Sequence, residues 1–274
     1  MKTKLSIIVA FLLIGNHLIA QFHTLKRPHA SPRVIEKQLL GITEIEVDYS
    51  APLVKGRDVW NDPSIVPQKG NPFPWRAGAN MNTTISFSTD VKIENHKLKA
   101  GTYGIHIIPD DDVYTVMFAH NHHQWGSYYV DEAKDVSLKI KVKAESCTKS
   151  EQLDFEFLER TKNCLVIGLE WDEKRIPFKV EVDLKKTVVE SFRSELRGLN
   201  TYRWEAWNDA ARWCLNNNTN LEEALVWVNR SINGGLKGYA ANKNKWNLRT
   251  KIRLLEKLGK HEEKTKTEAE LRSL

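Results

Sequence analysis

"TYGIHII" (Thr102–Ile108) and "VYTVMFA" (Val113–Ala119), joined by Pro109-Asp110-Asp111-Asp112, decide the fold. In the first run Tyr103, Ile105 and Ile107 alternate with Thr102, Gly104, His106 and Ile108. A period of two puts the first three side chains on one face of a strand. Pro and Asp between two such runs are turn chemistry, so the pair reads as a hairpin. The alternation recurs on both sides. It is present in "EIEVDYS" (Glu44–Ser50), "TTISFST" (Thr83–Thr89), "VKIENHKL" (Val91–Leu98) and "VSLKIKVKA" (Val136–Ala144). It continues in "LDFEFLE" (Leu153–Glu159), "CLVIGLEW" (Cys164–Trp171) and "IPFKVEVDL" (Ile176–Leu184). About ten short strands at this spacing predict an antiparallel β-sandwich or barrel. The sandwich is the expectation for residues 31–184, because one apolar face per strand requires a partner sheet.

Near Leu184 the period changes. "VVESFRSELRGLN" and the segments after it carry helical stripes, such as Trp207, Ala210, Ala211 and Cys214, and then Leu221, Ala224, Leu225 and Val228. Asn220 with Glu223 imitates a capping box. "ARWCLNNNTNLEEA" is echoed by "KIRLLEKLGKHEEK" at an offset of about 40 residues, each copy reading helix, polar turn, helix. The expectation for 187–272 is therefore a tetratricopeptide-like helical region.

The first 20 residues read as a secretory signal peptide. Lys2 and Lys4 precede the apolar run Leu5–Gly15, and Ala20 offers a cleavage point. The run is too short for a membrane span. The expected mature protein is periplasmic or secreted, with no stable membrane span. The formal charge is +6. Taking the two leader lysines from 41 basic residues against 35 acidic ones leaves +4, scattered along the chain. Nothing in that distribution points to nucleic acid. Three cysteines remain, Cys147, Cys164 and Cys214. Cys147 and Cys164 could meet if their strands are neighbours; three buried thiols is the other reading.

Between Ser50 and Arg76 the period is lost and five prolines occur, at 52, 63, 67, 72 and 74. A segment so long and so rich in proline reads as an ordered loop, either functional or a lid across a sheet. It leads into Trp75-Arg76-Ala77-Gly78-Ala79-Asn80. Gly78 suits a positive φ or a close approach, and Asn80 suits a local hydrogen bond. The Arg76 fork suits a carboxylate or phosphate, of a ligand or of an acidic residue in the loop.

Three groups of residues could carry function. Arg57, Trp75, Arg76, Asn80, Tyr103 and Trp125 could rim one pocket for a polar ligand, because aromatic platforms beside amide and guanidinium groups serve glycans and peptides. Large aromatics sealing the ends of a sandwich is the competing reading. His106, His120 and His122 could hold a divalent metal such as zinc; histidines of a loop and a core strand is the alternative. No nucleophile elbow, zinc-protease helix, phosphate loop or dinucleotide fingerprint is present.

The ordered series "SPRVIEKQLLGITEIEVDYSAPLVKGRDVW", "PWRAGANMNTTISFSTDVKI", "LKAGTYGIHIIP", "WGSYYVDEAKDVSLKIKV" and "CLVIGLEWDEKRIPFKVEV" resembles the exported bacterial domain of unknown function 2911 (DUF2911) family across about Ser31–Asp183. The resemblance implies an exported protein of the Bacteroidetes type, often with a helical tail, and no established activity. Tyr49, Pro52, Gly56, Arg57, Trp75, Arg76, Gly78, Asn80, Ala100, Gly101, Tyr103, Gly126 and Asp135 match its recurrent motifs. His106 departs from them, which speaks against a family-wide metal site.

Whether the protein is an enzyme stays open. The leading expectation is a periplasmic binding or envelope-associated protein, with a small polar ligand or an envelope protein as partner and no cofactor. A metal-assisted hydrolase built on the histidines, and a scaffold working through the helical repeats, are the alternatives.

Overall fold

The structure is a computed structural model that describes residues 28–235 and 239–274. The expected signal peptide lies outside the described residues. Among the described residues ten strands form two antiparallel sheets. The first sheet contains β1 (Arg33–Leu40), β2 (Thr43–Ser50), β3 (Thr84–Phe87), β6 (Gly101–Asp110), β7 (Val113–Ala119) and β8 (Val136–Lys143), in the order β1-β2-β3-β6-β7-β8. The second contains β4 (Val91–Ile93), β5 (His96–Leu98), β9 (Glu145–Leu158) and β10 (Cys164–Glu181), in the order β5-β4-β10-β9. The decisive hairpin pairs Gly104 with Ala119 through to Asp110 with Val113.

The inward faces make one core. Ile45, Val47, Ile85, Ile105, Val116 and Phe118 of the first sheet meet Phe155, Leu165, Ile167, Phe178 and Val180 of the second. This is the mainly β sandwich that the alternation predicts. It is followed by α-helices: α2 (Leu184–Glu195), α3 (Trp204–Asn216), α4 (Leu221–Asn233), α5 (Lys245–Lys257) and α6 (His261–Arg272). A one-turn helix, α1 (Glu132–Asp135), precedes β8. The helices have a core of their own, with Ala211, Cys214, Ala224, Val228, Leu254 and Leu255 at its centre. The internal echo falls on α3-turn-α4 and α5-turn-α6, so it marks two helix pairs.

Several local expectations need correction. β1 carries no clean signal because its outward face exposes Ile35 and Leu39 while Glu36 and Gln38 lie on the inward side. Polarity therefore fails to separate its two faces. β10 runs on where "DEKR" suggests a break. Asp172 takes a φ of +55° and the register against β9 shifts on both sides of it, so a bulge absorbs the polar residues. Asn220 stands at the N-cap of α4, but its side chain caps no backbone N–H among the described residues. Its φ is +51°, and its side-chain amide donates to Glu223 Oε2 at 2.8 Å. The capping box sits at Asn244 and Asn247, at the start of α5. Cys147 and Cys164 lie on paired strands but at opposite ends of the ladder, since Ser146 pairs with Lys174 and Leu158 with Val166. All three thiols are free.

Candidate ligand cleft beside the Trp75–Asn80 segment

The proline-rich segment folds over the end of the sandwich. Val54, Val59, Trp60, Val66 and Pro67 are buried. Trp60 Nε1 donates to the Trp171 carbonyl at 2.9 Å. Its ring meets Trp75, Tyr114 and Trp171 edge-on, at centroid separations of 5.6–6.0 Å. Trp75 stacks on Trp171 at 6.0 Å with 7° between the planes. These aromatics seal the sandwich, and Trp75 is among them.

Trp75 exchanges both backbone hydrogen bonds with Ile107, at 2.8 Å each, which brings the segment alongside β6. The chain then turns through positive φ at Ala77 (+55°), Gly78 (+156°) and Asn80 (+60°). A Cβ on Gly78 would stand 2.9 Å from the Ser50 carbonyl oxygen, so only glycine fits. Ala79 N–H donates to that oxygen at 3.2 Å. Asn80 Nδ2 donates to Ser50 Oγ at 3.2 Å, the local bond expected of it.

Arg76 has no acidic partner among the described residues. Nη1 donates to the Asn80 carbonyl at 2.8 Å and Nη2 to the Tyr128 phenol at 3.0 Å. The guanidinium carbon is 5.4 Å from the Tyr128 ring centroid. Arg76 thus ties the 75–80 turn to the 121–131 loop. Met81 bridges to Trp125 in the same loop, and Asn82 exchanges bonds with Gln124.

A cleft of about 420 Å³ opens between this segment and the proline-rich loop. Arg57, Lys55, Trp75 and Trp171 line it, with Ser31, Ser64, Gly78 and Ala79. Arg57 is exposed. Its Nε donates to the Val54 carbonyl at 3.0 Å and its Nη2 to the Leu53 carbonyl at 2.5 Å, which fixes the guanidinium. The buried Trp171 indole N–H has no acceptor among the described residues.

The six residues expected to rim one pocket therefore divide. Arg57 and Trp75 line the cleft. Arg76 and Asn80 bind protein groups beside it. Tyr103 is core, with its hydroxyl donating to the Lys99 carbonyl at 3.0 Å. Trp125 is exposed on the 121–131 loop. Sequence reasoning missed Lys55 and Trp171. Trp171 reads as one more apolar strand residue, and only the loop fold brings it to the cleft.

The histidines do not converge. His106 is fully buried, with Nδ1 2.7 Å from Ser127 Oγ and Nε2 without a partner among the described residues. Burial lowers its pKa to about 4, opposed by the charge of Asp135. His120 Nε2 lies 2.8 Å from Ser137 Oγ. His122 and His123 line a separate hollow with Arg33, Asp48 and Met81. Among the described residues no three His, Cys, Asp or Glu side chains are placed to hold a metal. The expected zinc-type set is not assembled.

No curated protein and no solved structure matches this chain. A family model does, the one described as "Protein of unknown function (DUF2911)", over residues 31–180. That span takes in the sandwich, the proline-rich loop and the cleft, and stops before α2; on this match the chain belongs to the DUF2911 family.

Proposed function

We propose that the protein is an exported binding protein that holds a small polar ligand, a glycan fragment or a short peptide, in the cleft between the proline-rich loop and the Trp75–Asn80 turn. The observation that carries this reading is the lining. Two cationic side chains, Lys55 and Arg57, line the cleft together with the edges of the largely buried Trp75 and Trp171. A concave, partly aromatic site with few fixed polar groups is the usual form of a small-ligand site. The surrounding loop is held by buried tryptophans and by backbone bonds, so the site is preorganised. The leader-like N-terminus supports export. Among the described residues no helix is long and apolar enough to cross a membrane.

Tryptophan fluorescence titrations with a panel of oligosaccharides and short peptides test the reading. The expected result is a saturable change that is lost in Ala79→Trp, which fills the cleft from its wall. No response from any panel member, or an undiminished response in a folded A79W variant, overturns it.

The helical region favours a second reading, a partner-binding surface. On α5 the Lys245 and Arg249 head groups lie 5.2 and 5.9 Å from the centroid of the exposed Trp246 ring. Amphipathic aromatic and cationic groups of this kind are enriched in protein interfaces. Pull-down of envelope proteins by the wild type but not by Trp246→Ala would support it.

A further inference from the structure

We propose that the ligand group seated in the cleft is a carboxylate; this rests on the binding reading above and names the chemistry that the site selects. Among the described residues Lys55 and Arg57 line the cleft, and no Asp or Glu does. Three carboxylates stand nearby, and all are engaged by local bonds; both oxygens of Asp58 accept from the Asn61 amide at 3.0 Å. Glu151 Oε1 accepts the Lys55 backbone N–H at 2.8 Å. Asp62 Oδ1 accepts the N–H and hydroxyl of Ser64, at 2.9 and 2.6 Å. Among the described residues neither Lys55 nor Arg57 has a salt-bridge partner.

The geometry of Arg57 is that of a receptor for an anion. Its Nε and one terminal nitrogen are anchored on the carbonyls of Val54 and Leu53. The other terminal nitrogen, Nη1, makes no hydrogen bond to a described residue. A guanidinium held in place gives a carboxylate a fixed, directional donor, which is stronger and more selective than a mobile ammonium. Lys55 and Arg57 supply donors only. A carboxylate supplies acceptors only, whereas a neutral hydroxyl or amide supplies both.

Carboxylates of this size come from two sources, an acidic sugar or the C-terminus of a short peptide. Matched pairs separate them: glucuronate against glucose, and glycyl-leucine against glycyl-leucine amide. Titrations of the full chain by tryptophan fluorescence and calorimetry should show an acid binding at least about tenfold more tightly than its neutral partner, the scale of a charge-assisted contact. The pair that shows the difference identifies the source. Lys55→Gln, whose side chain makes no hydrogen bond to a described residue, should cut that preference while leaving the fold intact. Arg57→Gln should cut it further, with circular dichroism checking the loop. Equal affinity for acid and neutral members, or an acid preference untouched by both variants, overturns the carboxylate assignment and leaves the binding reading standing. Absence of any response, including from the wider oligosaccharide and peptide panel, overturns both.

Discussion

The Arg76 guanidinium packs directly on Gly126: a Cβ placed there would stand 2.9 Å from Arg76 Cζ and 2.8 Å from Tyr128 Cε2. Gly126 also has a φ of +72°. The glycine thus makes room for the Arg76 side chain, which joins the 75–80 turn to the 121–131 loop. Gly126→Ala should destabilise the fold by about 1–3 kcal/mol, from backbone strain and displaced guanidinium together. Arg76→Lys should cost about 1–2 kcal/mol, because an ammonium cannot reach both acceptors with a planar fork. The two changes act on one contact, so the double variant should cost less than their sum. Urea denaturation of the four proteins checks this.

His106 gives the fold a pH dependence whose sign is fixed. Its folded pKa of about 4 lies below the ordinary value of 6.5, mainly because burial penalises the imidazolium. Between these values the unfolded chain takes up a proton that the folded protein refuses. The contribution of His106 to stability is therefore complete above about pH 6.5 and is lost as the pH falls toward 4. It amounts to at most about 3 kcal/mol. His106→Gln should flatten the stability profile over that interval relative to wild type. Denaturation midpoints measured from pH 4 to pH 7 in both proteins decide it; parallel profiles would refute the assignment.

Period-two alternation recovers the sandwich because most strands bury one face and wet the other. The alternation disappears where that contrast is missing. β1 mixes polarity on both faces at a sheet edge, and β10 passes its charged "DEKR" through a bulge at Asp172. Of the six residues expected to rim one pocket, only Arg57 and Trp75 line the cleft. Arg76 shows the limit of such reading. A guanidinium next to a turn looks the same in sequence whether its acceptor is a ligand, a carboxylate or, as here, a carbonyl and a phenol 4 and 52 residues away. Trp171 enters the cleft through the folding of a segment about 100 residues earlier in the chain, and no local pattern records that. His106 could be placed on the outward face of its strand from the alternation. That this face is buried under the 121–131 loop could not.

The cysteines offer a direct chemical check on the register of β9 and β10. Since Cys147 and Cys164 lie at opposite ends of that ladder, no disulfide joins them. Alkylation in denaturant without reductant should modify all three cysteines, as counted by mass spectrometry. Under native conditions at pH 8 the reaction should be slow at Cys214, whose thiol is fully buried and pushed up to about 11. An oxidised Cys147–Cys164 pair in protein recovered from an oxidising compartment would contradict the strand register.

Gly78 and Gly56 separate backbone strain from steric exclusion. Both have positive φ, +156° and +68°. A Cβ at Gly56 would meet nothing within 4 Å, whereas one at Gly78 would meet the Ser50 carbonyl oxygen at 2.9 Å and Thr83 Oγ1 at 3.0 Å. Gly56→Ala should therefore cost only the conformational penalty, about 1 kcal/mol. Gly78→Ala should cost more, about 2–3 kcal/mol, because the turn must also move away from β2. That movement would shift Ala79, whose N–H donates to the same Ser50 oxygen and which lines the cleft. Ligand affinity should accordingly fall in Gly78→Ala and hold in Gly56→Ala. Equal stability losses in the two variants would mean that the close approach of the 75–80 turn to Ser50 does not position the cleft wall.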